Sequence, residues 1–162
     1  MTKIHLIKHV PRDKGFYIAG FVDGEGSFFL SARPRTDYPT GWKFSPTFSV
    51  GNSDLVVLEL CKQYLGCGKI RETRPKFYIL EVADRGVLER FIIPFFTRFR
   101  FLSTKKKQEF RVFQATLHQV KQGIHTLQDL DELLALRKEL GKLRQNRITH
   151  TDDMIRSTFR VK

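Results

Sequence analysis

Two carboxylates, Asp23 and Glu25, stand two residues apart in the run Y-I-A-G-F-V-D-G-E-G-S from Tyr17 to Ser27. The run reads as a short apolar helix, from about Gly15 to Asp23, which leaves through Gly26 into a strand. Both acids then fall at the C-terminal end, where the negative pole of the helix dipole disfavours them. In a chain this basic, a divalent cation is the natural offset. Gly20 and Gly24 are four residues apart and share one face of the same helix, a spacing that lets two helices approach closely. A second cluster, Lys105, Lys106 and Lys107, comes after Ser103 at the start of a later helix. Three cations in a first turn oppose the dipole there, and an anion nearby would explain them.

The 162 residues hold 29 Lys and Arg against 17 Asp and Glu, a formal charge of +12. Length alone predicts one domain able to bury a real core. The charge is spread along the chain, which favours a shaped basic surface for a polyanion, nucleic acid before membrane. No apolar run reaches the length of a spanning helix, and residues 1–14 lack the apolar block of a signal peptide, so no membrane partner is expected. Cys61 and Cys67 are too few for a disulfide framework and read as reduced thiols of an intracellular protein. His118 and His125 are too far apart to chelate one ion.

Alternation and capping signals mark the elements that would position the carboxylates. Ser27–Arg35 alternates, with Phe28, Leu30 and Ala32 apolar between Ser27, Ser31, Arg33 and Arg35. Lys43–Val50 repeats the pattern, though Pro46 suits an edge strand or a bulge. Ser53 is expected to cap a helix through Leu65 that closes at Gly66. Residues 69–73 and 76–83 read as a hairpin turning at Arg74-Pro75, and Pro94 interrupts the helical segment that Asp84 begins. Ser103 caps a long helix, Thr126 and Asp129 form a capping box for the next, and residues 146–162 hold a short terminal helix. The order predicts an α+β fold with a four-stranded antiparallel sheet. The outward strand positions are small hydroxyls and cations: Ser31, Arg33, Arg35, Lys43, Ser45, Thr47, Ser49, Lys69, Arg71 and Thr73. Such a ribbon fits the DNA major groove, where these groups can address base edges. Tyr38 and Trp42 could contact DNA at its periphery or simply pin the loop between the first two strands.

The nine residues Ile18–Gly26, I-A-G-F-V-D-G-E-G, resemble the defining motif of the LAGLIDADG homing endonucleases. They are identical to it at Ala19, Gly20, Asp23 and Gly26 and conservative at the other five. The element order is similar to the family's αββαββα core over about residues 10–125, with a helical extension over about 126–162. One copy of the motif resembles the homodimeric branch, in which motif helices pair across the dimer axis, here through Ala19, Gly20 and Gly24.

The resemblance implies a role for particular residues. Glu25 matches the family's metal-binding acid, commonly Asp, and the Gly24 carbonyl matches its backbone ligand. Asn52 matches the polar residue that positions water, and Lys105 the cation near the scissile phosphate, with Lys106 and Lys107 leaving the register open. Asp23 falls off the metal line and is expected to shape the helix end.

The function implied is site-specific cleavage of both strands of a long, nearly palindromic double-stranded DNA by a homodimer. Mg²⁺ would serve the reaction, and Mn²⁺ or Ca²⁺ could occupy the site. An organellar or other intron-bearing host is implied by resemblance alone. The alternatives are an RNA maturase or a non-cleaving DNA-binding protein on the same fold. Bases splayed from single-stranded RNA are held by stacking rings, and the outward strand positions offer only Phe29 and Phe77.

Overall fold

A computed structural model describes residues 7–144 and 149–161 of the chain. Residues 1–6, within the stretch searched above for a signal peptide, and residues 146–148, which open the basic terminal stretch, lie outside the described residues. The order of elements is α1 (Arg12–Glu25), β1 (Gly26–Pro34), β2 (Trp42–Asn52), α2 (Leu55–Leu65), β3 (Lys69–Arg74) and β4 (Phe77–Val82). The chain is helical beyond β4: α3 (Arg85–Val87) runs through a π turn (Leu88–Ile92) into α4 (Ile93–Arg98), then come α5 (Thr104–Gln122), α6 (Leu127–Arg144) and α7 (Asp152–Thr158). This is the expected α+β order. The four strands form one sheet in the order β1-β2-β4-β3. Antiparallel registers include Val50 opposite Leu80 and Ile70 opposite Leu80.

Two compact units divide the chain: residues to Ser27 with Thr47–Lys107, and Phe28–Pro46 with Gln108 onward. In the first, α1 buries Ile18 and Val22, while β2 and β4 bury Phe48, Val50, Leu80 and Val82. Phe95 packs its ring on both Phe96 and Phe99, at 5.1 and 5.0 Å between centroids. Gly15 is required where α1 meets this cluster, because a Cβ there would stand 2.2 Å from the Phe99 ring. In the second unit, Phe28 meets Phe110 and Phe113 of α5, and Trp42, Leu130, Leu134, Ile155 and Phe159 bury one another.

Most boundaries obey local chemistry. Gly66 takes the left-handed conformation that ends α2, at φ 71°. Thr126 Oγ1 accepts from the Asp129 amide while Asp129 Oδ2 accepts from the Thr126 amide, a complete capping box. The cap of α2 is Asp54, not Ser53. Asp54 Oδ1 accepts from the Val56 amide, and Asn52 Oδ1 accepts from the Asp54 amide one step earlier. The break expected at Pro94 takes the form of the preceding π turn, which widens the helix just ahead of a residue that has no N–H to donate.

Pro46 was expected at an edge or a bulge, yet β2 is an inner strand. Three consecutive buried residues, Pro46, Thr47 and Phe48, mark the lapse of alternation around it. Thr47 is therefore 4% exposed, not on the outward face.

Candidate functional site

The motif residues occupy the last turn of α1. Glu25 is the final helical residue and Gly26 the cap, its amide donating to the Val22 carbonyl. The Glu25 carboxylate is exposed and makes no hydrogen bond or ion pair among the described residues. The amide four residues beyond Gly24 belongs to Phe28, already in β1, and donates to Glu109 Oε1 at 2.7 Å. Gly20 and Gly24 are both exposed, and nothing lies within 4 Å of where a Cβ would stand on either. Phe16 and Tyr17, at 48% and 51% exposure, extend that open surface toward the start of the helix. Ala19, 3% exposed, instead faces the core, one step round the helix from the glycines.

Asp23 bonds to the start of α5. Its Oδ2 accepts from the Leu102 amide at 3.1 Å and the Ser103 amide at 3.0 Å, and Oδ1 accepts from the Ser103 hydroxyl. Partial burial works against the charged form. The Ser103 hydroxyl, both amides and the Lys106 charge outweigh it, so the carboxyl stays below its usual range. The Ser103 oxygen also accepts from the Lys106 amide at 3.1 Å, capping α5 as expected.

The three lysines separate by environment. Lys105 and Lys107 are exposed, whereas Lys106 is 6% exposed and donates Nζ to the Gly26 carbonyl at 2.6 Å. Asp23 and Lys106 thus tie the exit of α1 to the first turn of α5, where Lys105 sits. Their partners are 79 to 80 residues away in sequence. Asn52, the last residue of β2, is half-buried with Oδ1 committed to the Asp54 amide.

The strand residues expected to face DNA divide by exposure. Arg33, Arg35, Lys69, Arg71 and Thr73 are exposed, and Ser31, Lys43, Ser45 and Ser49 are half-buried. Arg35 forms a fork with Asp37, Nε to Oδ1 at 2.7 Å and Nη2 to Oδ2 at 2.6 Å. Arg71 reaches Glu81 at 3.3 Å. Trp42 is buried and pins the loop, while Tyr38 stays exposed beneath the Arg35 guanidinium. Burial pushes the free thiols of Cys61 and Cys67 up to about 12.

Among the described residues no three His, Cys, Asp or Glu side chains gather to hold a metal, and no helix is long and apolar enough to cross a membrane. Glu25 therefore belongs to no such cluster.

Residues 18–117 match the family model described as LAGLIDADG endonuclease. That match spans more than half of the chain, and the chain belongs to the LAGLIDADG endonuclease family. Among curated relatives, the homing endonuclease I-ApeII of Aeropyrum pernix is 31% identical over 108 residues, covering 65% of each chain. The DNA endonuclease I-CeuI of Chlamydomonas moewusii is 28% identical, the match covering 77% of this chain and 59% of that one. A probable intron-encoded endonuclease of Neurospora crassa is also 28% identical over 77% of this chain, which spans only 28% of that relative. The chain thus spans less than two thirds of these curated relatives.

Of solved structures, the archaeal intron-encoded homing endonuclease I-Vdi141I complexed with DNA is 30% identical at a TM-score of 0.80. It covers 90% of this chain and 94% of its own. I-SmaMI bound to uncleaved DNA in the presence of calcium ions is 25% identical with a TM-score of 0.70, over 85% and 53%.

Proposed function

We propose that the chain is a homing-type DNA endonuclease that acts as a homodimer and cuts both strands of a long, nearly palindromic duplex. The observation that carries this reading is the open face of α1, where Gly20 and Gly24 have nothing packed on them and lead to the unpartnered Glu25. A second copy of that face would fill it, since small residues four apart allow close backbone approach. Pairing would bring two Glu25 carboxylates to one place. Ala19 would back the glycines from within each subunit.

A divalent cation fits these donors. One free carboxylate per subunit, with the Gly24 carbonyl, is the sparse hard-oxygen set that Mg²⁺ accepts when phosphate and water complete the shell. When bound, such an ion supplies an acidified water and stabilises charge on the leaving oxygen. The chain's own residues do the rest. Glu25 binds and orients; Lys105, exposed in the first turn of α5, offsets charge on the phosphate. Asn52, its oxygen already engaged, has its amide N–H groups for the attacking water. Arg33, Lys43, Lys69 and their neighbours contact the duplex. Thr47, being buried, supports the strand from within.

Cleavage of plasmids carrying the locus around the gene tests the reading. Wild type should cut with Mg²⁺ and bind without cutting with Ca²⁺. Glu25→Gln should lose roughly 100- to 1,000-fold in single-turnover rate while keeping DNA affinity. Absence of cleavage by wild type, or equal cleavage by the variant, overturns the nuclease reading. Splicing of an intron transcript without any cutting would indicate a maturase instead. A monomer at all concentrations by sedimentation, with and without DNA, would overturn the dimer.

A further inference from the structure

The loop joining β1 to β2 is closed by the far C-terminal part of the chain. Residues 35–39 are exposed, and the loop's own backbone bonds are few: the Arg35 amide to the Gly41 carbonyl at 2.8 Å, Tyr38 to Arg35 and Gly41 to Tyr38. Further support comes from α7 and the residues just beyond that helix. The Trp42 indole N–H donates to Thr158 Oγ1 at 2.9 Å, across 116 residues, and the Thr158 hydroxyl donates in turn to the Met154 carbonyl at 2.8 Å. The Arg160 amide donates to the Thr40 carbonyl at 3.0 Å, as one strand would to another. Beneath these bonds the Trp42 ring, Ile155 and Phe159 are buried together. Thr151 caps α7 by accepting from the Met154 amide, and Arg137, 8% exposed, holds the helix start through Asp152 Oδ1 and the His150 carbonyl.

The same contact delivers a charge. The Arg160 guanidinium lies beside Gly41, 3.8 to 3.9 Å from where a Cβ would stand. It is exposed and makes no ion pair among the described residues. The neighbouring Arg35 is occupied by Asp37, so among the described residues Arg160 is an uncommitted cation at the loop. A guanidinium presents paired N–H donors that match the oxygens of a phosphate.

We propose that residues 151–160 form a strap that holds the β1–β2 loop in its DNA-bound shape, and that Arg160 adds a phosphate contact at that loop. Thr158 is a positioning residue, and Arg160 a binding one. This rests on the DNA-binding reading above, and the experiment separates the two.

Trp42 is the single tryptophan of the chain, so its fluorescence reports the strap without any DNA. In Thr158→Val, which keeps the shape and removes the acceptor, acrylamide should reach the indole more readily. Amide exchange of residues 35–41 should rise at least 10-fold, with little change in thermal midpoint. Target affinity should fall several-fold, with discrimination lost at the base pairs under the loop and single-turnover cleavage of saturated target unchanged. In Arg160→Ala affinity should fall equally on target and random duplex. Each phosphate contact adds about 0.9 to the salt slope. The drop in affinity between 50 and 200 mM salt should therefore shrink by about 3- to 4-fold per subunit, and Arg160→Lys should restore most of it.

Unchanged loop exchange and quenching in Thr158→Val would overturn the strap. A wild-type salt slope retained in Arg160→Ala would overturn the phosphate contact. Failure of wild type to bind any duplex would overturn the contact together with the DNA-binding reading, and leave the strap to be judged on exchange and quenching alone.

Discussion

The two units secure their exposed groups by opposite chemistry. At the exit of α1, Asp23 and Lys106 do the holding, a carboxylate on two amides and a hydroxyl and a buried ammonium on a carbonyl. At the β1–β2 loop the holding is done by an indole, a threonine hydroxyl and a small apolar cluster. Charged bonds fix direction as well as distance, which suits the proposed meeting of a carboxylate and a cation at one phosphate. An apolar clasp fixes a loop against a surface while leaving its charges at the rim. The first should respond to pH, the second hardly at all.

Removing the clasp should cost most. Trp42→Ala should destabilise the protein by about 3–5 kcal/mol in urea melts, the range for losing a buried aromatic, with a similar loss from pH 5 to pH 8. A loss that varied steeply with pH would erase the contrast. Lys106→Met should come next, at about 2–4 kcal/mol, because the buried Gly26 carbonyl loses its partner. It should also slow cleavage more than it weakens binding, since it loosens the turn bearing Lys105.

Asp23→Asn, which removes the charge and one of the two acceptor oxygens, should cost about 1 kcal/mol, and its pH dependence sharpens the comparison. The Asp23 pKa is lowered from 3.8, so its contribution is in place above that value and is lost as pH falls through the lower native one. Wild type and variant should therefore converge in acid and diverge toward neutrality. Parallel acid titrations of the two would refute the assignment.

Much of this was legible in the sequence because it is local. Phe28, Leu30 and Ala32 alternate with polar residues and are buried as the alternation predicts. The capping box at Thr126 and the glycine stop at Gly66 also needed no tertiary information. Asp54 takes the cap in place of Ser53, its own amide held by the Asn52 side chain, a competition between adjacent good caps. What no pattern could reveal was which lysine of three is buried. Lys105, Lys106 and Lys107 are chemically identical, and only the approach of the Gly26 carbonyl, 80 residues away, distinguishes them. Asp23 was expected to shape the end of its own helix, but its carboxylate instead holds the Leu102 and Ser103 amides just ahead of α5, whose cap is Ser103. Thr47 was expected on the outward face because strict alternation was carried through Pro46, where the strand instead buries three residues in a row; Ala19, expected in the dimer face, lies against the core one step from the exposed Gly20.

The bonds of Asp23 to residues 102 and 103 also impose an order of events. Chains emerge from the ribosome at about 5–20 residues per second, and contacts this distant in sequence close late. Glu25 is made before the turn carrying Lys105, which arrives several seconds afterward, and Thr158 and Arg160 come later still. A nascent chain thus displays the motif helix long before it can display Lys105, the cation proposed to serve the phosphate. Any fragment that stops short of residue 106 should be inert however well its first helix forms.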